Sequence, residues 1–224
     1  MSRRSGYGPI QLATAVGLPQ WQIRRALDAG LIPPPDPVTG RWPEDVIPAG
    51  LEEFRDQIRA AAGSVPDVGA ARAAQLLSAR LGAVVTPDGV RELARRGQFP
   101  VTGYYKDYPL YDGQALESFT DVTAAVEATW AGQMRTAASS AAYLRIRRAD
   151  FDHLTRTGLL APADWGQGAW DRRGTFRVPL YRTGDLDTLL TGPAIPWDQI
   201  RATPPGRRSP LTAWPDAATR KGRR

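Results

Sequence analysis

The sequence predicts a mainly α chain with small β-hairpin wings, arranged as three tandem modules of one build. Three observations predict it: a phrase that recurs, the apolar spacing around each copy, and turn or capping residues at matching places. The phrase reads "ALDAGLIPP" at 26–34, "LARRGQFP" at 93–100 and "LTRTGLLAP" at 154–162. Its glycines fall at 30, 97 and 158, intervals of 67 and 61 residues. Self-similarity at a nearly fixed spacing marks a chain built from one repeated supersecondary unit.

The first module is expected over residues 8–62. Its apolar positions Leu12, Ala13, Val16, Leu18, Ile23, Ala26 and Leu27 follow helical spacing. Ala13 lets a second helix cross closely, and Gly17 permits a tight turn with positive φ. The third module, 134–192, aligns without a gap: Ala141, Leu144, Ile146, Phe151 and Leu154 stand for Ala13, Val16, Leu18, Ile23 and Ala26, and Arg145 replaces the turn glycine. The middle module, 66–131, has a longer connection between its helices. There Thr86 is the expected N-cap and Pro87 the first helical residue. After each phrase comes a wing-like stretch, "PPPDPVTGRW", "VTGYYKDYPLY" or "ADWGQGAWDRRGTFRVPLY", and then a further helix. The aromatic before that helix, Trp42, Tyr111 or Tyr181, is expected in the core beside Ile47, Leu116 or Leu186. Residues 193–224 hold six prolines and end "TRKGRR"; they read as a disordered basic tail, with Trp197 and Trp214 as docking points. "MSRRSGYG" reads as a second arm.

Composition narrows the function. The 224 residues include no cysteine and one histidine, which excludes thiol nucleophiles, disulfide frameworks and cysteine-ligated zinc. There is no glycine-rich phosphate loop and no nucleophile elbow. The close acids of "DFD" at 150–152 sit at i and i+2, pointing apart on a helix. Catalysis is therefore not expected, and neither a cofactor nor a small-molecule effector is evident. No stretch approaches about 18 uncharged apolar residues, so a cytoplasmic protein without a membrane span is expected. Net charge is +6, and its excess lies late: 133–192 carry 9 basic and 6 acidic side chains, 193–224 carry 7 and 2. Of 29 basic residues only Lys106 and Lys221 are lysine, and arginine suits bidentate contacts to phosphate and guanine.

A helix pair of the form A-x-x-L-x-I, a capped second helix ending in G-x-L, a short hairpin with an aromatic and a further helix resemble the MerR and phage-excisionase group of winged helix-turn-helix domains. "AAYLRIRRADFDHLTRTGLL" with "VPLYRTGDLDTLL" carries the resemblance best, and the three copies together span about residues 8–192. The long dimerising helix of MerR proteins has no counterpart after the last module. Fusion of modules in cis raises effective concentration much as dimerisation does.

The resemblance implies second helices in major grooves and wings along phosphates. In that register, Gln20, Trp21, Arg24 and Arg25 of copy one, and Arg147, Arg148, Asp152 and His153 of copy three, meet base edges. Arg41 serves the first wing, and Arg172, Arg173 and Arg177 the third. The middle copy offers Pro87, Asp88, Arg91 and Glu92, whose acids repel phosphates. Its wing carries Tyr104, Tyr105 and Tyr108 beside Lys106, a nearly neutral surface that suits a protein contact. The expected partner is double-stranded DNA and the expected role transcriptional regulation. Alternatives are a DNA-bending accessory factor for site-specific recombination or plasmid maintenance, and a protein-interaction scaffold.

Overall fold

The glycine of each repeated phrase has a left-handed backbone: φ is 73° at Gly30, 78° at Gly97 and 71° at Gly158. The Gly30 N–H donates to Leu27 O (3.0 Å) and the Leu31 N–H to Ala26 O (2.8 Å), a pair repeated by Gly158 to Thr155 (3.1 Å) and Leu159 to Leu154 (3.1 Å). This double closure satisfies the last carbonyls of a helix and requires positive φ, which glycine adopts at least cost. The chain then turns inward, burying Ile32, Phe99 and Leu160. The repeated phrase is thus the sequence of a helix end folding back onto a core.

The computed structural model describes residues 6–168, 176–192 and 195–213. The fold is mixed α/β, dominated by helix, with two small three-stranded antiparallel sheets among the described residues. Helices α1 (Pro9–Val16), α2 (Gln20–Asp28) and α3 (Leu51–Ala62) come first. Then follow β1 (Val68–Gly69), α4 (Ala70–Leu81), α5 (Pro87–Arg95), β2 (Val101–Tyr105), β3 (Tyr108–Tyr111), α6 (Gly113–Ser118) and α7 (Val122–Gly132). The same order recurs in β4 (Met134–Thr136), α8 (Ala137–Leu144), α9 (Arg148–Arg156), β5 (Asp164–Gly168), β6 (Phe176–Arg182), α10 (Thr183–Thr191) and α11 (Trp197–Ala202). The sheets share one topology too, β1-β3-β2 and β4-β6-β5. Among the described residues no helix is long and apolar enough to cross a membrane.

The chain divides into two compact units: residues 1–76 with 96–120, and residues 77–95 with 121–224. In the first, α1, α2 and α3 close over Leu12, Val16, Ile23, Ala26, Ile32, Phe54 and Ile58. Trp42 joins this core, with Ile47 packed against it, and its indole N–H donates to Pro33 O (2.6 Å). Buried Tyr111 lies at the end of β3, and Asp112 next to it caps α6, accepting from the N–H groups of Gln114 and Ala115.

In the second unit α8 and α9 build a core of Ala141, Leu144, Phe151 and Leu154 with Tyr181, Leu186 and Leu189. Phe151 and Tyr181 meet edge to face, centroids 4.9 Å apart. Arg145 takes the left-handed turn, φ 57°, where the first helix pair has Gly17 at 73°. The bonds are the same: Ile146 N–H to Ala141 O and Leu18 N–H to Ala13 O, both 3.0 Å. The same unit holds α5, whose expected start is present in the Gly89 N–H bond to Thr86 Oγ1 (3.1 Å). Helix α7 crosses α5 so closely that a Cβ on Gly132 would lie 2.4 Å from Asp88 O.

Two expectations are corrected. The first wing-like stretch forms no hairpin: Trp42 makes a single antiparallel bridge to Tyr7, and the residues between 33 and 41 form a turn without strands. Residues 195–213 are not a disordered tail: α11 and a 3-10 turn at Pro210–Ala213 pack on the α8–α9 core, burying Ile195, Ile200 and Leu211. Apolar side chains spaced this sparsely show no periodicity, yet each fills a place on an existing core. The arm at residues 1–5, Trp214 and the end of the chain lie outside the described residues.

Candidate nucleic-acid interface

Helix α2 buries Gln22, Ile23 and Ala26, which leaves Gln20 and Arg24 exposed on its outer face. Arg24 meets no carboxylate among the described residues. Trp21 is half-buried, with the Arg25 guanidinium 5.1 Å from its ring centroid. Arg25 itself is turned inward. It donates to Val65 O (3.0 Å), to Ala62 O and to Asp67, so its donors are committed to the protein's own backbone and a carboxylate. Arg41 is also turned onto the protein: its Nη2 donates to Gly6 O and to Gln11 Oε1 (2.7 Å), and its Nε is buried. Arg25 and Arg41, expected to face DNA, both bond inward to the protein's own groups, which corrects two expectations.

Copy three is corrected in the same way. Arg147 grips the fully buried Asp150 through Nε (2.7 Å) and Nη2 (2.9 Å), and its Nη1 donates to Pro204 O (2.8 Å) and Arg207 O (2.9 Å). Four of its five N–H donors are spent, which leaves no fork for guanine. Arg148 is exposed and pairs with Asp152 across one turn at 2.8 Å. His153 is half-buried, its Nε2 enclosed without a partner. Arg177 is exposed on β6, opposite Gln167 of β5. Arg172 and Arg173 lie outside the described residues.

Three cations escaped the sequence reading. Arg145, in the α8–α9 turn, and Arg207 and Arg208, in the loop after α11, are exposed and meet no carboxylate among the described residues. In the sequence Arg145 stands only where the first copy has a turn glycine, and the loop falls in a proline-rich stretch without apolar periodicity. The apolar residues Ile200 and Leu211 that bracket "PPGRR" were the available signal.

The middle copy departs most. Gly89, Val90, Glu92 and Leu93 of α5 are all buried. Glu92, expected on an outer face, is held by Arg95 at 2.6 Å and Arg182 at 3.5 Å; Asp88 pairs with Arg91. With α7 against it, α5 leaves Pro87, Arg91 and Arg95 exposed. The hairpin β2–β3 belongs to the first unit and turns through Lys106 and Asp107 at φ 48° and 67°. Positive φ at both positions makes the tight turn that matches strand twist. It holds Tyr104, Tyr105 and Tyr108 out, each more than 60% exposed. A cleft of about 590 Å³ lies between Trp21, Arg24 and Asp28 of α2 and Thr102, Gly103 and Tyr104 of β2.

Charge separates the two units. The first carries 10 basic and 11 acidic side chains, the second 19 and 12. The second is therefore +7 and the first −1, and long-range attraction for a polyanion comes from the second. Two inward-facing carboxylates are tied to arginine. Burial pushes Asp150 up, but the bonds from Arg147 and Ser209 outweigh it and hold the carboxyl below its ordinary value. Asp67 is likewise held low: burial opposes, and the Gly113 N–H and Arg25 prevail. No family model, curated protein or solved structure matches the chain.

Proposed function

We propose that this chain is a sequence-specific double-stranded DNA-binding protein, a transcriptional regulator built from tandem winged helix-turn-helix repeats of the MerR and excisionase type. The observation that carries the reading is a left-handed glycine at the helix end of all three repeated phrases, joined by a packed helix pair in the first and third copies and by a three-stranded sheet of one topology in the second and third. The +7 charge of the second unit supports it. In this reading α9 docks in a major groove with Arg148 outward, flanked by Arg145 and Arg177, while α2 offers Gln20 and Arg24. Arg25, Arg41 and Arg147 hold these helices in place.

The test is selection of bound duplexes from a random pool, followed by fluorescence anisotropy over a range of salt. Enrichment of one sequence, with affinity falling steeply as salt rises, is the expected result. A chain that enriches nothing and binds random duplex weakly at low salt overturns the reading. The tyrosines of β2–β3 favour a second role for the first unit, since rigid aromatic side chains on a surface of nearly zero net charge suit a protein partner. That partner contact accompanies DNA binding by the second unit.

A further inference from the structure

We propose that residues 203–209 form a second phosphate-contacting loop, presenting Arg207 and Arg208 beside α9 and held there by the Arg147–Asp150 pair; this rests on the DNA-binding reading. The loop is built to be rigid. Pro204, Pro205, Gly206 and Arg207 form a tight turn, with Arg207 N–H bonded to Pro204 O (3.2 Å) and Gly206 at φ 79°. Proline second and glycine third are the residues such a turn demands. Both sides are fastened to the helix pair. Arg201 donates from Nε and Nη2 to Leu144 O, the last residue of α8, at 3.3 Å each. Arg147, immediately before α9, donates to Pro204 O and Arg207 O. Beyond the turn, Ser209 Oγ accepts from the Leu211 N–H (3.2 Å), and Leu211 is fully buried.

The network uses one arginine and one buried carboxylate to fix a loop whose two arginine side chains make no ion pair within the described fold. Arg207 and Arg208 are exposed, adjacent and like-charged, and no carboxylate meets them among the described residues. Arg145 is exposed on the α8–α9 turn that the loop embraces. Like charges held together in this way are unfavourable alone and favourable against a polyanion. The spacing of cations along a phosphate strand, more than base recognition, is what such a loop supplies.

The experiment uses the full chain and a duplex selected by it, with anisotropy titrations at several salt concentrations. Replacing Arg207→Gln and Arg208→Gln together should reduce the slope of log affinity against log salt by about 1.8 and weaken binding about 30-fold near 0.15 M salt, at about 0.9 per phosphate contact. Arg147 is a positioning residue, so Arg147→Ala should produce a similar loss of slope by releasing the loop. Adding the two glutamines to it should change little more. Trypsin cleavage after Arg207 and Arg208 should speed up in Arg147→Ala, which reports the release without DNA. Where that variant folds poorly, Arg147→Ala with Asp150→Asn removes the stranded charge and should behave alike. A double glutamine variant with the wild-type salt slope, on a duplex the wild type binds, overturns the loop while leaving the DNA reading intact. Losses that simply add between Arg147→Ala and the glutamines overturn the positioning role. Failure of the wild type to bind any duplex removes the reading beneath both.

Discussion

Replacing Gly89 with alanine tests why the middle helix pair stands apart from the others. On helix propensity alone Gly89→Ala in α5 should stabilise, by up to about 1 kcal/mol. The structure gives the opposite sign. The new Cβ would lie 2.5 Å from Thr129 Oγ1 and 2.9 Å from Thr129 Cα on α7. Relief requires α5 and α7 to move apart, and overpacking of this kind costs about 1 to 3 kcal/mol. The net expectation is a loss of roughly 0.5 to 2 kcal/mol, or a melting point lower by about 2 to 4 °C for each kcal/mol. Gly132→Ala should lose more, because its Cβ would meet a backbone atom, Asp88 O, at 2.4 Å. Thr129→Ala should rescue Gly89→Ala only in part, since the clash with the hydroxyl goes and the clash with the backbone of α7 stays. Urea and thermal melts of the four variants decide it. Either alanine variant at or above wild-type stability refutes the reasoning, and with it the claim that α7 covers α5.

Three further outcomes are expected. Arg145→Gly should raise stability by up to about 1 kcal/mol, as relief of a left-handed side-chain residue exceeds the added freedom of the unfolded chain; urea melts measure this, and duplex affinity should fall in the same variant. Because the folded value of Asp150 lies below its ordinary one, its contribution is present above the unfolded value, about 3.9, and is lost as pH falls through the folded one. Urea melts of Asp150→Asn should therefore show lower stability at neutral pH and a flatter decline in acid, whereas an unchanged acid limb would show that other carboxylates set it. Arg24→Gln should lower duplex affinity with no change in the melt, while Arg25→Gln should lower the melt, because Arg25 ties α2 to Ala62, Val65 and Asp67.

Local rules made much of this fold legible. The helix pairs followed from apolar spacing, Gly17 from the need for positive φ, and the Thr86 cap from the residue types at a helix start. Trp42, Tyr111 and Tyr181 were recognisable as core because each is an aromatic standing just before the further helix of its copy. What escaped depends on partners distant in sequence. Glu92 looks like a surface acid until Arg182 is brought to it. Arg147 looks like a base reader until the carbonyls of Pro204 and Arg207 accept its hydrogen bonds. Strands β1 and β4 have only two and three residues, too short for any alternation, and they form because the last strand of each hairpin offers an edge. Of the candidate site, exposure of Arg24, Arg148 and Arg177 could be read from helix and strand register; the inward turn of Arg25 and Arg41 could not.

The segments of the two units alternate along the chain, and synthesis follows that order. Residues 77–95 belong with 121–224, and residues 96–120 with 1–76, so the ribosome delivers the pieces of the two units out of turn. Helix α5 ends at Arg95, but the helix that covers it runs from Val122 to Gly132. At about 5 to 20 residues per second, the faces of Val90 and Leu93 wait roughly 2 to 7 seconds for their cover. During that interval the nascent chain shows an apolar stripe of just the kind that chaperones bind and that neighbouring nascent chains on a polysome can pair with. Slow codons placed between 96 and 121 would lengthen the exposure, and a single break of the gene anywhere from 77 to 120 would yield two fragments, neither of which holds a complete unit.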